Sequence, residues 1–185
     1  MLPLAPETVR PQASHGARGL LKLGFGIEPD APDFAALRES FLDYYEAHIC
    51  VYTRLFPGMA QLVETLEQRN LPWGIVTNKP HRFTVPLMQA LGYAPRAACL
   101  ISGDTCARAK PYPDQLLKAC ELLDVKPQSC LYLGDDLRDM EAAQAAGMRN
   151  IIALYGYIDA QADLDCWHAD GGVDTPMALS GYIWS

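Results

Sequence analysis

From residue 58 onward the chain alternates between two hydrophobic periods. In GMAQLVETLEQRN, Met59, Leu62, Val63 and Leu66 recur at helical spacing. LPWGIVT follows as a short apolar strand ending at Thr77, and HRFTVPLMQALG is helical apart from Pro86, with Gly92 as its carboxyl-terminal cap. AACLIS predicts a second strand. YPDQLLKACELLDV carries Leu116, Leu117, Cys120 and Leu123 on a helical face, and Pro113 suits its first turn. SCLYLG is a third strand, RDMEAAQAAGM a helix of small residues, and RNIIALYG a fourth strand. Strands and helices in strict alternation with short connections predict a parallel sheet covered by helices. The strands are continuous apolar runs, as burial on both faces requires.

The first 57 residues follow another pattern. PETVRPQASHGARGLLKLGFG and PDFAALRESFLDYYEAHICVY predict two helices separated by the turn-rich GIEPDAP, with no strand between them. LFPG, residues 55–58, is the expected hinge, since Pro57 and Gly58 interrupt regular structure. The expected organisation is therefore a helical unit over residues 1–55 and an α/β unit over residues 56–185.

A 185-residue chain that is 50% hydrophobic and 20% charged is ordinary for a soluble globular protein. A net charge of −7, with only 15 Lys and Arg and no basic run, argues against nucleic acid as the main partner. No stretch is long and apolar enough to span a bilayer, and MLPLAPETVR has no signal-peptide pattern, so the chain is read as cytoplasmic. Six cysteines are scattered without a Cys-x-x-Cys pair, which favours free, mostly buried thiols over zinc or disulfides.

Ligands of open parallel sheets bind beyond the carboxyl ends of the strands. Thr77, Asn78 and Lys79 follow the first strand. Ser102, Asp104 and then Lys110 follow the second, and Gly134, Asp135, Asp136 and Asp139 follow the third. Two carboxylates about 4 Å apart repel by about 4 kcal/mol at an effective dielectric near 20, so the acidic cluster calls for a cation. A phosphate ester with a divalent metal would use every element. The Thr77 hydroxyl and the neighbouring amides can donate to phosphoryl oxygens, Lys110 can neutralise charge, and Asp135 with Asp139 offers the hard oxygen ligands suited to magnesium. A strand-end threonine, a Lys-Pro pair and an acidic helix start are each commonplace; their joint order points to phosphate chemistry.

GIVTNKP, AKPYPD and LYLGDDLRDMEAAQAAGM together resemble the second, third and fourth motifs of the haloacid dehalogenase superfamily of phosphohydrolases. The run from LFPGM to YGYI is most similar to the phosphoglycolate phosphatase-like branch, including its phosphatases of N-acetylmuramic acid 6-phosphate. The resemblance implies a Rossmann-like parallel sheet core with a small helical cap, Mg2+ as cofactor, an aspartyl-phosphate intermediate and a small phosphorylated metabolite as substrate. It assigns Thr77 and Lys110 to catalysis and Asn78 to substrate binding. It gives Asp135 to the metal, Asp139 to the metal or to Lys110, and leaves Asp136 as an alternative ligand. SHGARGLL resembles the cap segment facing the site, which makes Ser14, His15 and Arg18 substrate-binding candidates; an exposed helix start is the competing reading of His15 and Arg18.

The superfamily's first motif, Asp-x-Asp-x-Thr after an apolar strand, supplies the nucleophile and has no counterpart here. Asp163 and Asp165 have the spacing but lack both the strand and the threonine. The expectation is a core lacking its amino-terminal strand, and a chain that is a catalytically incomplete piece of a phosphomonoesterase, with self-association through exposed sheet edges. The alternative is a non-catalytic sensor or regulatory module that binds phosphate esters.

Overall fold

The computed structural model describes residues 4–184. Its amino-terminal part is helical, as the pattern predicts, but the first expected helix is broken into α1 (Pro6–Val9), a 3-10 segment (Arg10–His15) and α2 (Gly16–Phe25). Pro11 lies at the start of the 3-10 segment, and Gly16 adopts a φ of 61°, a backbone state open to glycine. α3 (Phe34–Ala47) then runs unbroken.

The α/β part follows in the order α4 (Met59–Gln68), β1 (Gly74–Val76), α5 (His81–Ala90), β2 (Cys99–Ile101), α6 (Asp114–Leu123), β3 (Leu131–Gly134), α7 (Leu137–Ala146) and β4 (Arg149–Ala153). Each corresponds to a segment predicted from periodicity. Gly92, at φ 79°, stands just past α5, as expected, and Pro86 is accommodated inside that helix. Pro113 is the residue before α6 rather than within its first turn.

A fifth strand, β5 (Gly171–Val173), was not predicted, because Gly171 and Gly172 give it no apolar run. Its first glycine leaves the space into which the Tyr182 ring packs; a side chain there would overlap the phenol. The last described element is α8 (Ser180–Ile183). No helix among the described residues is long and apolar enough to cross a membrane.

All strand pairs are parallel, but they form two sheets: β1-β2, and β3-β4-β5. Alternation along β3 sorts its side chains between two layers. Tyr132 packs with Val76 against Leu116, Cys120 and the alanines of α7. Leu131 and Leu133 join the opposite layer around Leu62, Ile151 and Val173. Ala142 and Ala143 are fully buried, so their small side chains bring α7 close to the sheet. All six cysteines are free. Cys99 and Cys120 are buried as expected, whereas Cys50, Cys106 and Cys130 are only half-buried and Cys166 is exposed.

Candidate active site

The ends of β1, β2 and β3 are tied together by polar side chains. Gln115, fully buried on α6, accepts a hydrogen bond from the Lys110 amide at 3.0 Å. It donates to the carbonyls of Ser102 (2.7 Å) and Thr77 (3.1 Å). Asn78 and Lys110 form a reciprocal pair: the Lys110 amide donates to Asn78 Oδ1 at 3.0 Å, and Asn78 Nδ2 donates to the Lys110 carbonyl at 2.9 Å. Buried amides that satisfy loop carbonyls in this way hold irregular backbone rigid. The Thr77 amide extends the ladder to the Ile101 carbonyl, and its Oγ1 accepts from the Lys79 amide at 3.1 Å. The hydroxyl proton of Thr77 is left to donate outward.

The acidic cluster at the end of β3 is divided by partner. Asp139 Oδ1 lies 2.7 Å from Lys110 Nζ, and its Oδ2 accepts from the amides of Asp135 and Asp136, each at 3.1 Å. Asp136 caps α7 in a capping box with Asp139 and receives Arg138 through both oxygens, at 2.8 and 2.6 Å. Asp135 Oδ2 accepts from the Tyr157 amide at 2.7 Å, and no side chain among the described residues is bonded to its Oδ1. Asp135 is thus the carboxylate with an oxygen to spare.

Burial pushes the Asp135 carboxyl up; the Tyr157 amide opposes this, while the charges of Asp139 and Asp136 add to it. Burial acts the same way on Asp136, but the hydrogen bonds and charge of Arg138 outweigh it and hold that carboxyl below its usual range. The Tyr132 phenol is pushed well above its ordinary value by burial and then by Asp139, so it serves Lys110 as a neutral oxygen.

These groups open onto a cleft of about 410 Å³ between the amino-terminal helical segment and the strand ends. Thr77, Asn78, Lys110, Asp135, Asp136 and Asp139 line it, as do Ser14 and His15. Arg18 is exposed on α2 and outside that lining. Asp163 precedes and Asp165 lies within the 3-10 turn Leu164–Trp167, and both are outside the cleft lining. Lys79, which also lines the cleft, sends Nζ to the Tyr45 hydroxyl at 2.9 Å. Arg138 Nη2 donates to the Ser14 carbonyl at 3.0 Å and so joins the helical segment to the acidic cluster. Arg138, Gln115 and Tyr132 were missed because a solvated charge, a helix-start amide and a core aromatic carry no distinguishing spacing.

No group of three or more His, Cys, Asp or Glu among the described residues is arranged to hold a metal. Magnesium needs less, since it keeps most of its waters and often takes one or two carboxylates plus substrate phosphate. Asp135 Oδ1 fits that requirement; both oxygens of Asp136 and of Asp139 are engaged.

The model of the haloacid dehalogenase-like hydrolases matches residues 8–147. The chain belongs to that family. The hydrolase is 44% identical over 175 residues to an N-acetylmuramic acid 6-phosphate phosphatase of Pseudomonas putida, covering 95% of this chain and 78% of the relative. It is 40% identical over 178 residues to a phosphoglycolate phosphatase of Xylella fastidiosa, covering 96% and 77%. In fold it is similar to the crystal structure of a predicted phosphoglycolate phosphatase from Haemophilus somnus, with a TM-score of 0.84 at 23% identity over 98% of this chain and 83% of the other.

Proposed function

We propose that this hydrolase binds the phosphoryl group of a small cytoplasmic phosphomonoester beside Mg2+ and serves phosphomonoester hydrolysis. The observation that carries the reading is that Thr77, Lys110 and Asp135, from three separate strand ends, line one cleft. Relatives named as phosphatases of N-acetylmuramic acid 6-phosphate and of phosphoglycolate support the substrate class. In this reading the Thr77 hydroxyl and the Asn78 amide donate to phosphoryl oxygens, and Lys110 balances their charge. Asp135 holds the metal, which when bound supplies further neutralisation of the phosphoryl oxygens. Ser14 and His15 face the organic part of the ester, and Lys79 and Arg138 are the further cations of the cleft lining.

Covalent phosphoryl transfer needs an unencumbered carboxylate in line with phosphorus. Asp136 and Asp139 are engaged by Arg138, Lys110 and helix amides, and Asp135 is assigned to the metal. We therefore expect the chain alone to bind phosphate esters without turning them over. The same partnering favours a second reading, a sensor or regulatory module that binds such esters.

Calorimetric titration with N-acetylmuramic acid 6-phosphate and 2-phosphoglycolate, with and without Mg2+, tests the binding. Saturable, magnesium-dependent binding lost in Asp135→Asn is the expected result, and absence of binding would overturn the reading. Phosphate release by the chain would refute the expectation of binding without turnover. A variant carrying an added strand with the Asp-x-Asp-x-Thr motif separates the two functions: turnover supports the phosphatase, and binding without turnover the sensor.

A further inference from the structure

The thiols of Cys120 and Cys130 meet at the end of the molecule away from the cleft. Their sulfurs are 3.8 Å apart. Cys120 lies in the last turn of α6 and is buried, whereas Cys130, the residue before β3, is half-buried. Both backbones are fixed. The Cys120 carbonyl accepts from the Val125 amide just past the helix, the Cys130 amide donates to the Pro127 carbonyl, and the Cys130 carbonyl accepts from the Arg149 amide. The contact between the two sulfurs is therefore set by the fold. Other thiols turn elsewhere: Cys106 Sγ to the Asp114 carbonyl, Cys166 Sγ to the Asp163 carboxylate, and Cys99 Sγ into the space beside Gly74.

The two sulfurs differ in what they can do. Burial pushes the Cys120 thiol up to about 11, and the hydrogen bond with Cys130 adds to this. A buried sulfur that keeps its proton is a poor first nucleophile. Cys130 is the member of the pair that solvent reaches, and so the one an oxidant meets first.

We propose that Cys120 and Cys130 form a reversible oxidation site, at which hydrogen peroxide converts the dithiol into a disulfide that clips α6 to β3. The Cys130 thiolate attacks one peroxide oxygen, the O–O bond breaks, and hydroxide leaves as Cys130 becomes a sulfenic acid. The Cys120 sulfur then attacks that of Cys130. The S–S bond forms, the S–O bond breaks, and the oxygen departs as water with the Cys120 proton. Two thiols are oxidised and one peroxide is reduced to two waters, and a dithiol reductant reverses the bridge by exchange. Bonding requires the sulfurs to approach by about 1.8 Å, a movement on the scale of side-chain rotation that needs no shift of the fixed backbones. A thiol already in contact captures the sulfenic acid before a second peroxide carries it to the irreversible sulfinic state. The bridge closes a short loop and constrains the unfolded chain, so it stabilises the packing of α6 on β3.

The test treats the full chain with hydrogen peroxide, using Cys166→Ser as the background so that the exposed thiol does not cross-link copies. Digestion after lysine and glutamate cuts at Glu121, between the two cysteines, so a bridge appears as two linked fragments that separate on reduction. The linked fragments should carry Cys120 and Cys130, and the bridged protein should melt about 5 °C or more higher, a gain lost on adding dithiothreitol. Cys120→Ala should remove the bridge and leave Cys130 to proceed to the sulfinic acid, and Cys130→Ser should leave Cys120 unoxidised. Sulfinic acid at Cys130 with Cys120 still free in the Cys166→Ser protein would overturn the proposal. So would a bridge from Cys130 to Cys99, or a Cys120–Cys130 bridge that leaves the melting temperature unchanged or lowers it. None of these readouts involves a phosphate ester, so the outcome is independent of the proposed function.

Discussion

Lys110 Nζ lies 2.7 Å from Asp139 Oδ1, in a pair whose side chains are each only 9% exposed. The pair spans the cleft from the loop after β2 to the first turn of α7, so the geometry of the lysine depends on the helix cap. Asp139 turns its other oxygen to two amides of the β3–α7 turn, and one carboxylate therefore fixes both the cation and the loop that carries Asp135.

Breaking that pair should cost more than removing it whole. Lys110→Met leaves a buried carboxylate without its cation and is expected to lower unfolding free energy by about 3–5 kcal/mol, read from urea denaturation. Lys110→Met combined with Asp139→Asn should lose less than the sum of the two single variants. Strict additivity would show that the two side chains do not stabilise each other.

Glycine substitutions separate the site from the scaffold. A Cβ at Gly156 would overlap the side chain of Asp135, so Gly156→Ala should displace that carboxylate and weaken Mg2+ binding by about tenfold, about 1.4 kcal/mol. Gly24 lies within α2 with open space around its Cα and no positive φ, and Gly24→Ala should stabilise by about 0.5–1 kcal/mol and leave metal binding alone. Titration calorimetry and thermal melts on both variants check the contrast.

Gln115 holds the ends of β1 and β2 and the Lys110 loop from a fully buried position, a role with no solvent-exposed substitute. Gln115→Leu fills a similar space but removes the second acceptor of the Lys110 amide and the Gln115 donor of the Thr77 carbonyl, while the Ser102 carbonyl keeps the Thr105 amide. Each unsatisfied buried group costs about 1–3 kcal/mol. Destabilisation with faster exchange at the Lys110 amide is expected; unchanged exchange would mean that Asn78 alone holds the loop.

Much of this arrangement could be read from pattern because the strands are buried on both faces and announce themselves as apolar runs. The residues that follow them, Thr77, Lys110 and Asp135, inherit their position from that regularity. The missed features have local causes. β5 is led by two glycines, and the first helix breaks at Pro11 and Gly16, where backbone geometry outweighs hydrophobic period. The crowding of Asp135, Asp136 and Asp139 correctly signalled a need for positive charge, but sequence spacing could not divide it. Arg138 serves Asp136 and Lys110 serves Asp139, leaving Asp135 as the carboxylate with a free oxygen. Arg18 shares a segment with Ser14 and His15, yet the turn at Gly16 puts it on an outward face.

Arg138 couples the helical segment to the core through a single guanidinium. It neutralises Asp136 in a bidentate pair and donates to the Ser14 carbonyl. Arg138→Ala should therefore have two effects that differ in place: a loss of about 1–3 kcal/mol in global stability from the charge-assisted bonds, and faster hydrogen exchange through residues 10–16. Arg10 provides a second link, donating to the carbonyls of Tyr155 and Gly156 at 3.2 Å and lying over the Tyr157 ring. Arg10→Ala alone should loosen the same segment with a smaller stability change, because its bonds are exposed. If Arg138→Ala lowers stability but leaves exchange at residues 10–16 unchanged, the helical segment is held by Arg10 and apolar contacts, and the contact between Arg138 and Ser14 carries no coupling.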